Sequence, residues 1–244
     1  MMKKVDKESP VPLYYQLKQI LSDLIENEDL KPDDPVPTER RLCDFHGISR
    51  MTVNKAILTL VNEGLVYREQ GRGTFVASPK EKHSLSSLLG FTEEMQRRGL
   101  STNTKMIAFR RQPATKKLRQ QLQLEATQEV FSIQRLRYIG GEPHALETAF
   151  IPVHLCPDLT PELLDNRSLY AVLLNRYFLE MDYANQTIEP VLLDDYESNI
   201  LQVKKHSLAL LFSRRTFLKS GIPFEVTKSV YRSDKYKFEV TLRS

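Results

Sequence analysis

Cysteine is scarce: Cys43 and Cys156 are the only two in 244 residues. One falls in an expected helix and the other in a proline-flanked loop, so no structural disulfide is expected, and metal-ligand spacing is missing. Both are expected to be reduced thiols. No stretch of about 18 apolar residues exists, which leaves no candidate membrane span. The opening Met-Met-Lys-Lys-Val-Asp-Lys-Glu has lysines with no apolar segment behind them. It does not read as a signal peptide, and the chain is expected in the cytoplasm. Internal repeats, low-complexity tracts, a phosphate-cradling glycine loop, a metal cluster and an activated nucleophile are all lacking. These absences argue against a membrane protein and against catalysis, and no cofactor is expected.

Net charge is also low, at +4. Its position matters more than its sum. Residues 1–34 carry eight acids, with Asp23, Glu26, Glu28, Asp29, Asp33 and Asp34 crowded together. Residues 35–80 carry seven basic residues against four acids. The apolar fraction of 41% and charged fraction of 27% are those of a soluble globular protein. The length allows two domains of ordinary size.

The basic segment carries the strongest pattern. Residues 37–76 scan as helix, tight turn, helix and two-stranded wing. Pro37 and Thr38 open the first helix, since a threonine oxygen caps free amides. Gly47 sits where the turn needs a positive φ. Ser49 or Thr52 caps the second helix, whose apolar positions Val53, Ile57, Leu60 and Val61 recur at helical spacing. Gly64 stops it. Leu65-Val66-Tyr67 and Thr74-Phe75-Val76 form the wing around Gly71-Arg72-Gly73. A helix-turn-helix offers the start of its second helix to the DNA major groove. That start holds Ser49, Arg50, Thr52, Asn54 and Lys55, and the wing tip Arg72 is slim enough for a minor groove. The expected partner is double-stranded DNA.

Residues 9–79 resemble the winged helix of GntR-family transcription regulators. The likeness lies in Pro12-Leu13-Tyr14-Tyr15-Gln16, Pro37-Thr38-Glu39-Arg40, Gly47-Ile48-Ser49-Arg50-Met51-Thr52-Val53 and Gly71-Arg72-Gly73-Thr74-Phe75-Val76. The resemblance implies DNA contacts by Arg40, Arg50, Arg72 and the wing glycines Gly71 and Gly73. One position departs from it: the family often has arginine where this chain has Asn54. Arginine suits guanine, whereas asparagine suits adenine or a phosphate, so base preference there stays open. Lys55 is a candidate phosphate contact.

An amphipathic helix is expected over 11–28, with Leu13, Leu17, Ile20, Leu21, Leu24 and Ile25 on one face. The expected domains are 1–76, the winged helix-turn-helix, and 85–244, an effector-binding domain, with 77–84 as a linker. Beyond the linker, helices are expected at 85–98, 115–123, 168–178 and 194–203. Strands are expected at 104–112, 129–139, 143–152, 181–192, 208–219, 223–232 and 235–242. Gly140-Gly141-Glu142 and Ser220-Gly221 mark hairpins. Hairpin-joined strands imply an antiparallel sheet covered by helices, an α+β domain.

Strand alternation puts Phe131, Ile133, Arg135, Arg137 and Ile139 on one face. Two arginines on an apolar face need partners. Either they form internal salt bridges, to Glu147 and Glu225, or they await an anion, whose geometry two guanidinium forks match. Arg135 lies opposite Glu147 if the hairpin loop has three residues, Gly140 to Glu142. Glu225, Thr227, Ser229 and Tyr231 share a second mixed face, suited to sugar hydroxyls or to solvent. Ser168-Leu169-Tyr170 opens a helix and is either an anion site or an ordinary cap. His144, His154 and His206 are scattered and read as surface or loop residues.

Residues 85–240 resemble the effector-binding (UTRA) domain of the HutC-type GntR branch, whose fold is chorismate-lyase-like. The matching segments include Phe91-Thr92-Glu93-Glu94-Met95, Arg135-x-Arg137 with Glu147, Ser168-Leu169-Tyr170, Pro223-Phe224-Glu225 and Ser229-Val230-Tyr231. The likeness is strongest to repressors of N-acetylglucosamine use. It implies that Arg135, Arg137, Ser168 and Tyr170 bind a sugar phosphate, of the glucosamine 6-phosphate or N-acetylglucosamine 6-phosphate type. It further implies that Phe91, Thr92, Glu147, Glu225 and Tyr231 surround the sugar. A homodimeric, ligand-controlled repressor is the leading expectation. An enzyme on the chorismate lyase fold and an effector-free architectural DNA binder are the competing classes.

Overall fold

The structure is a computed structural model, describing residues 2–78, 81–84 and 88–240. The chain divides into two compact units: 1–82 with 234–237, and 83–233 with 238–244.

The first unit holds α1 (Leu13–Glu26), α2 (Glu39–His46), α3 (Arg50–Asn62), β1 (Val66–Glu69) and β2 (Gly73–Val76). Leu17 and Leu21 of α1 are buried with Leu42, Val53, Ile57, Leu60, Val66 and Val76. Helix α1 is shorter than expected: Pro12 caps its start, and the chain leaves through Asn27 and the positive φ of Glu28. Thr38 accepts from the Arg41 amide to cap α2, and Ser49, not Thr52, caps α3. Gly47 is left-handed (φ 64°, ψ 42°), which closes the turn between them. The wing strands are antiparallel, from Val66 opposite Val76 to Glu69 opposite Gly73. Gly73 thus opens β2 and is not part of the loop.

Glu81–Ser84, in the segment expected as a linker, forms β3. It belongs to a two-stranded sheet with β10 (Tyr236–Glu239). The remaining elements are α4 (Phe91–Arg97), β4 (Thr102–Pro113), α5 (Lys116–Leu122), β5 (Glu129–Ile139), β6 (Glu142–Pro152), α6 (Leu169–Tyr177), β7 (Met181–Leu192), α7 (Asp195–Ile200), β8 (Leu208–Leu218) and β9 (Pro223–Arg232). Of the helix expected over 85–98, only Phe91–Arg97 is helical; 85–87 lie outside the described residues. Helix α7 is also shorter than expected; Asp194 and Glu197 close a capping box at its start.

The second unit is built on an antiparallel sheet in the order β4-β5-β6-β9-β8-β7. One set of its side chains, Phe131, Ile133, Ala149 and Ile151, packs with Leu169 and Leu173 of α6. Leu136, Leu146, Val230 and Ala209 pack instead with Leu193 and Leu201, which flank α7. Helix α5 adds Leu118 and Leu122 against Val130 and Val226. Apolar cover on alternate positions explains why consecutive residues Arg135, Leu136 and Arg137 are all buried.

The β5–β6 hairpin corrects the expected loop. Ile139 pairs with Glu142, so the loop has two residues, Gly140 and Gly141, both at positive φ (56° and 84°). That is the conformation a two-residue hairpin favours. A bulge between Arg137 and Tyr138 shifts the register by one, and Arg135 still faces Glu147. The register skips His144, which is buried in β6 and not on the surface.

Candidate functional site

In the first unit, the expected DNA-contacting residues start α2, start α3 or tip the wing. Arg40 is exposed and lies 4.0 Å from Asp44. The Ser49 hydroxyl accepts from the Thr52 amide at 3.2 Å and meets its hydroxyl at 2.8 Å. Arg50 projects into solvent, with Nε 3.3 Å from Glu39 Oε2. Asn54 accepts through Oδ1 from Arg68 at 2.7 Å. Lys55 does not stand free: its Nζ lies 3.9 Å from the centre of the Tyr14 ring. Arg72, between Gly71 and Gly73, donates to Glu69 Oε1 at 2.6 Å. These exposed pairs are weak and exchangeable for phosphate oxygens. Sequence reasoning missed Arg68 and the accepting role of Glu39, because both depend on a wing strand folding onto two helices.

In the second unit, all nine residues expected around an effector line one cavity. Strand β5 supplies Arg135 and Arg137, and β6 supplies Glu147. Strand β9 supplies Glu225 and Tyr231, α4 supplies Phe91 and Thr92, and Ser168 and Tyr170 come from the start of α6.

The arginine pair shares one carboxylate. Arg135 and Arg137 both donate to Glu147 Oε1, the latter at 2.7 Å. Arg137 also donates to Thr104 Oγ1 at 2.9 Å and stacks 5.3 Å from the Phe91 ring centre. Burial alone would raise the Glu147 carboxyl; Arg137 and Arg135 overcome it and hold it at about 2. Glu147 is therefore ionised, yet one negative charge faces two positive ones. Among the described residues, Arg135 Nε and Nη1 and Arg137 Nε are buried without an acceptor. Unpaired buried donors are costly and are met by a partner when one is offered.

Glu225 does not pair with either of these arginines. Its Oε2 accepts from Tyr170 at 2.6 Å and from Thr216 at 2.9 Å. Burial pushes the Glu225 carboxyl up, and it pushes the phenols of Tyr170 and Tyr231 up as well, so both phenols stay protonated donors. The Ser168 hydroxyl accepts from the Ala171 amide at 3.2 Å, an ordinary helix cap. Thr227 and Ser229 complete the polar wall of β9.

Arg214 was missed. It enters from β8, donating from Nε to Gln186 at 2.8 Å, and no carboxylate lies within 4.0 Å among the described residues. Strand β8 reads Phe-Ser-Arg-Arg-Thr, and alternation alone does not say which arginine faces the cavity.

A winged helix with a polar reading surface, on the same chain as a cavity rich in buried arginine, defines a DNA-binding regulator with a ligand domain. Residues 13–76 match the gntR family of bacterial regulatory proteins, and 97–237 match the UTRA domain. The HTH-type transcriptional repressor NagR of Bacillus subtilis is 38% identical over 234 residues, 96% of each chain. The mannosyl-D-glycerate transport/metabolism system repressor MngR of Escherichia coli is 32% identical, over 93% of this chain and 94% of that one. The crystal structure of PhnF from Mycobacterium smegmatis superposes with a TM-score of 0.66 at 26% identity, covering 95% of this chain and 99% of that one. The chain belongs to the GntR family of transcription regulators, in the HutC-type branch that joins a winged helix to a UTRA domain.

Proposed function

We propose that this chain is a repressor of sugar-utilisation genes whose hold on DNA is controlled by a phosphorylated sugar bound in the arginine cavity. The observation that carries this reading is the buried Arg135–Arg137 pair. Both residues line the cavity, and their single shared carboxylate leaves excess positive charge and three buried donor atoms without a partner among the described residues. Guanidinium forks match phosphate oxygens in number and direction. The protonated phenols and the carboxylates of Glu147 and Glu225 supply donors and acceptors for sugar hydroxyls. The repressor role and the sugar context are supported by NagR and MngR, which are named as repressors.

Catalysis fits the cavity poorly. Among the described residues, no histidine, cysteine or lysine lines it. The Cys156 thiol is buried in the apolar core, pushed up to about 12 by that burial and by Asp158. Such a thiol is a poor nucleophile.

The expected mode is release. A ligand shifts a regulator only through different affinities for its DNA-competent and DNA-incompetent states. The test is fluorescence anisotropy of the full-length protein on duplexes that it selects from a random library. Addition of N-acetylglucosamine 6-phosphate or glucosamine 6-phosphate should weaken binding. DNA affinity unmoved by either sugar phosphate refutes the reading. The protein is expected to sediment as a homodimer, since half-sites call for two reading heads.

A further inference from the structure

We propose that Arg68, on the first wing strand, is a positioning residue for DNA recognition. It turns the Asn54 amide so that α3 presents a hydrogen-bond donor to the major groove, not an adenine-matching pair.

Three elements meet at this point. Glu39 is the first residue of α2, Arg50 and Asn54 lie one turn apart on α3, and Arg68 stands on β1 opposite Thr74. Arg68 Nη2 donates to Glu39 Oε1 at 3.0 Å and to Asn54 Oδ1 at 2.7 Å. The other Glu39 oxygen takes Arg50 Nε at 3.3 Å. One carboxylate thus joins two guanidiniums, and one of them, Arg68, holds the amide.

The amide's orientation follows from chemistry. A guanidinium only donates, so the atom of Asn54 that faces it must be the oxygen. The Nδ2 amino group then points away from Arg68. Reading adenine uses both ends of an amide: the oxygen accepts from N6 and the nitrogen donates to N7. Here a charged donor holds the oxygen, and such bonds are about twice as strong as neutral ones. The oxygen's second lone pair is then a poorer acceptor for adenine N6, while the amino group stays a free donor that matches the acceptor edge of guanine, thymine O4 or a phosphate oxygen.

Stability does not explain the network. The Arg50 side chain is 86% exposed, Arg68 39% and Glu39 30%. Exposed pairs of this kind contribute little to folding. Their effect is to fix three side-chain directions before DNA arrives, which lowers the ordering cost of binding.

The experiment uses the full-length protein and duplexes from a randomised library enriched on it. Parent, R68M, R68K, N54A and the N54A plus R68M double variant are compared by sequencing bound duplexes and by anisotropy against salt. R68M should shift preference toward adenine at one base pair, by on the order of tenfold, because the freed amide can use both ends. N54A should flatten preference at that same base pair, the double variant should match N54A alone, and R68K should retain part of the parent's preference. The proposal is overturned if R68M keeps the parent's base preferences or if the two single effects add. It is equally overturned if R68M weakens all duplexes alike and lowers the salt slope by about one, which marks Arg68 as a phosphate contact in its own right. Melting temperatures should stay within about two degrees of the parent, as for other surface changes. A larger loss marks a structural role and also overturns it.

Discussion

Replacing Glu147 by glutamine keeps the side chain's shape and removes the one negative charge that two buried guanidiniums share. The ionised carboxylate is favoured in the folded protein because its pKa falls from an ordinary 4.5 to about 2. At about 1.4 kcal/mol per unit, that difference is worth roughly 3 kcal/mol, and the side chain is too enclosed for solvent to screen it away. A carboxyl whose folded pKa is depressed contributes stability that is complete above 4.5 and is lost as pH falls through about 2. E147Q should therefore unfold more easily than the parent at neutral pH. The expected loss in melting temperature is about 6–12 °C, at 2–4 °C per kcal/mol for a domain of this size. The gap between the two proteins should close as pH drops from 4.5 to 2. Burial raises the Glu225 carboxyl and the Glu147 charge raises it further; E147Q relieves that second part, which trims the gap at neutral pH without reversing its direction. Denaturant unfolding at a series of pH values measures the gap. A phosphate-bearing ligand should recover more stability in E147Q than in the parent, because it meets two uncompensated arginines. A gap that stays constant from pH 6 to pH 2 would refute the reasoning.

Other perturbations reach separate parts of the molecule. Arg135→Ala should weaken sugar-phosphate binding by about 10- to 150-fold, the worth of a charge-assisted bond, while DNA binding without ligand is unchanged. Calorimetry and anisotropy on the same preparation check both halves. Arg214→Gln should weaken sugar-phosphate binding about tenfold with only a small loss in melting temperature, since the half-buried guanidinium has no carboxylate within 4.0 Å among the described residues and is favoured only by the more distant Glu225 and the nearby phenols. A large loss in melting temperature with intact binding would make Arg214 structural. Arg50→Ala should cost on the order of 1–3 kcal/mol in operator binding and relax base preference, and unchanged affinity and specificity would remove Arg50 from the interface.

The parts of the fold set by local chemistry were legible in the sequence. Thr38 and Ser49 cap helices through their own hydroxyls, and Gly47 supplies the left-handed turn, so α2 and α3 could be placed from short windows. Strand period alone groups Arg135 with Arg137, and Glu225 with Tyr231, and all four line the cavity. The hairpin loop was misjudged because glycine at both 140 and 141 suits the tighter turn, while the bulge beside His144 leaves no mark in composition. Strand β3 was hidden because Glu-Lys-His-Ser has no apolar alternation, and pairing through backbone groups needs none. The Arg68–Asn54 contact and the choice of Arg214 over Arg215 are tertiary facts: each depends on which strand lies next to which element.

The most direct test of the phosphosugar reading is calorimetric titration of the unmodified protein with N-acetylglucosamine 6-phosphate and, separately, with N-acetylglucosamine. The phosphate should add one or more charge-assisted bonds to Arg135 and Arg137, so the phosphorylated sugar should bind at least about tenfold tighter. Equal affinity for the two ligands would contradict the assignment of the arginine pair as a phosphate site.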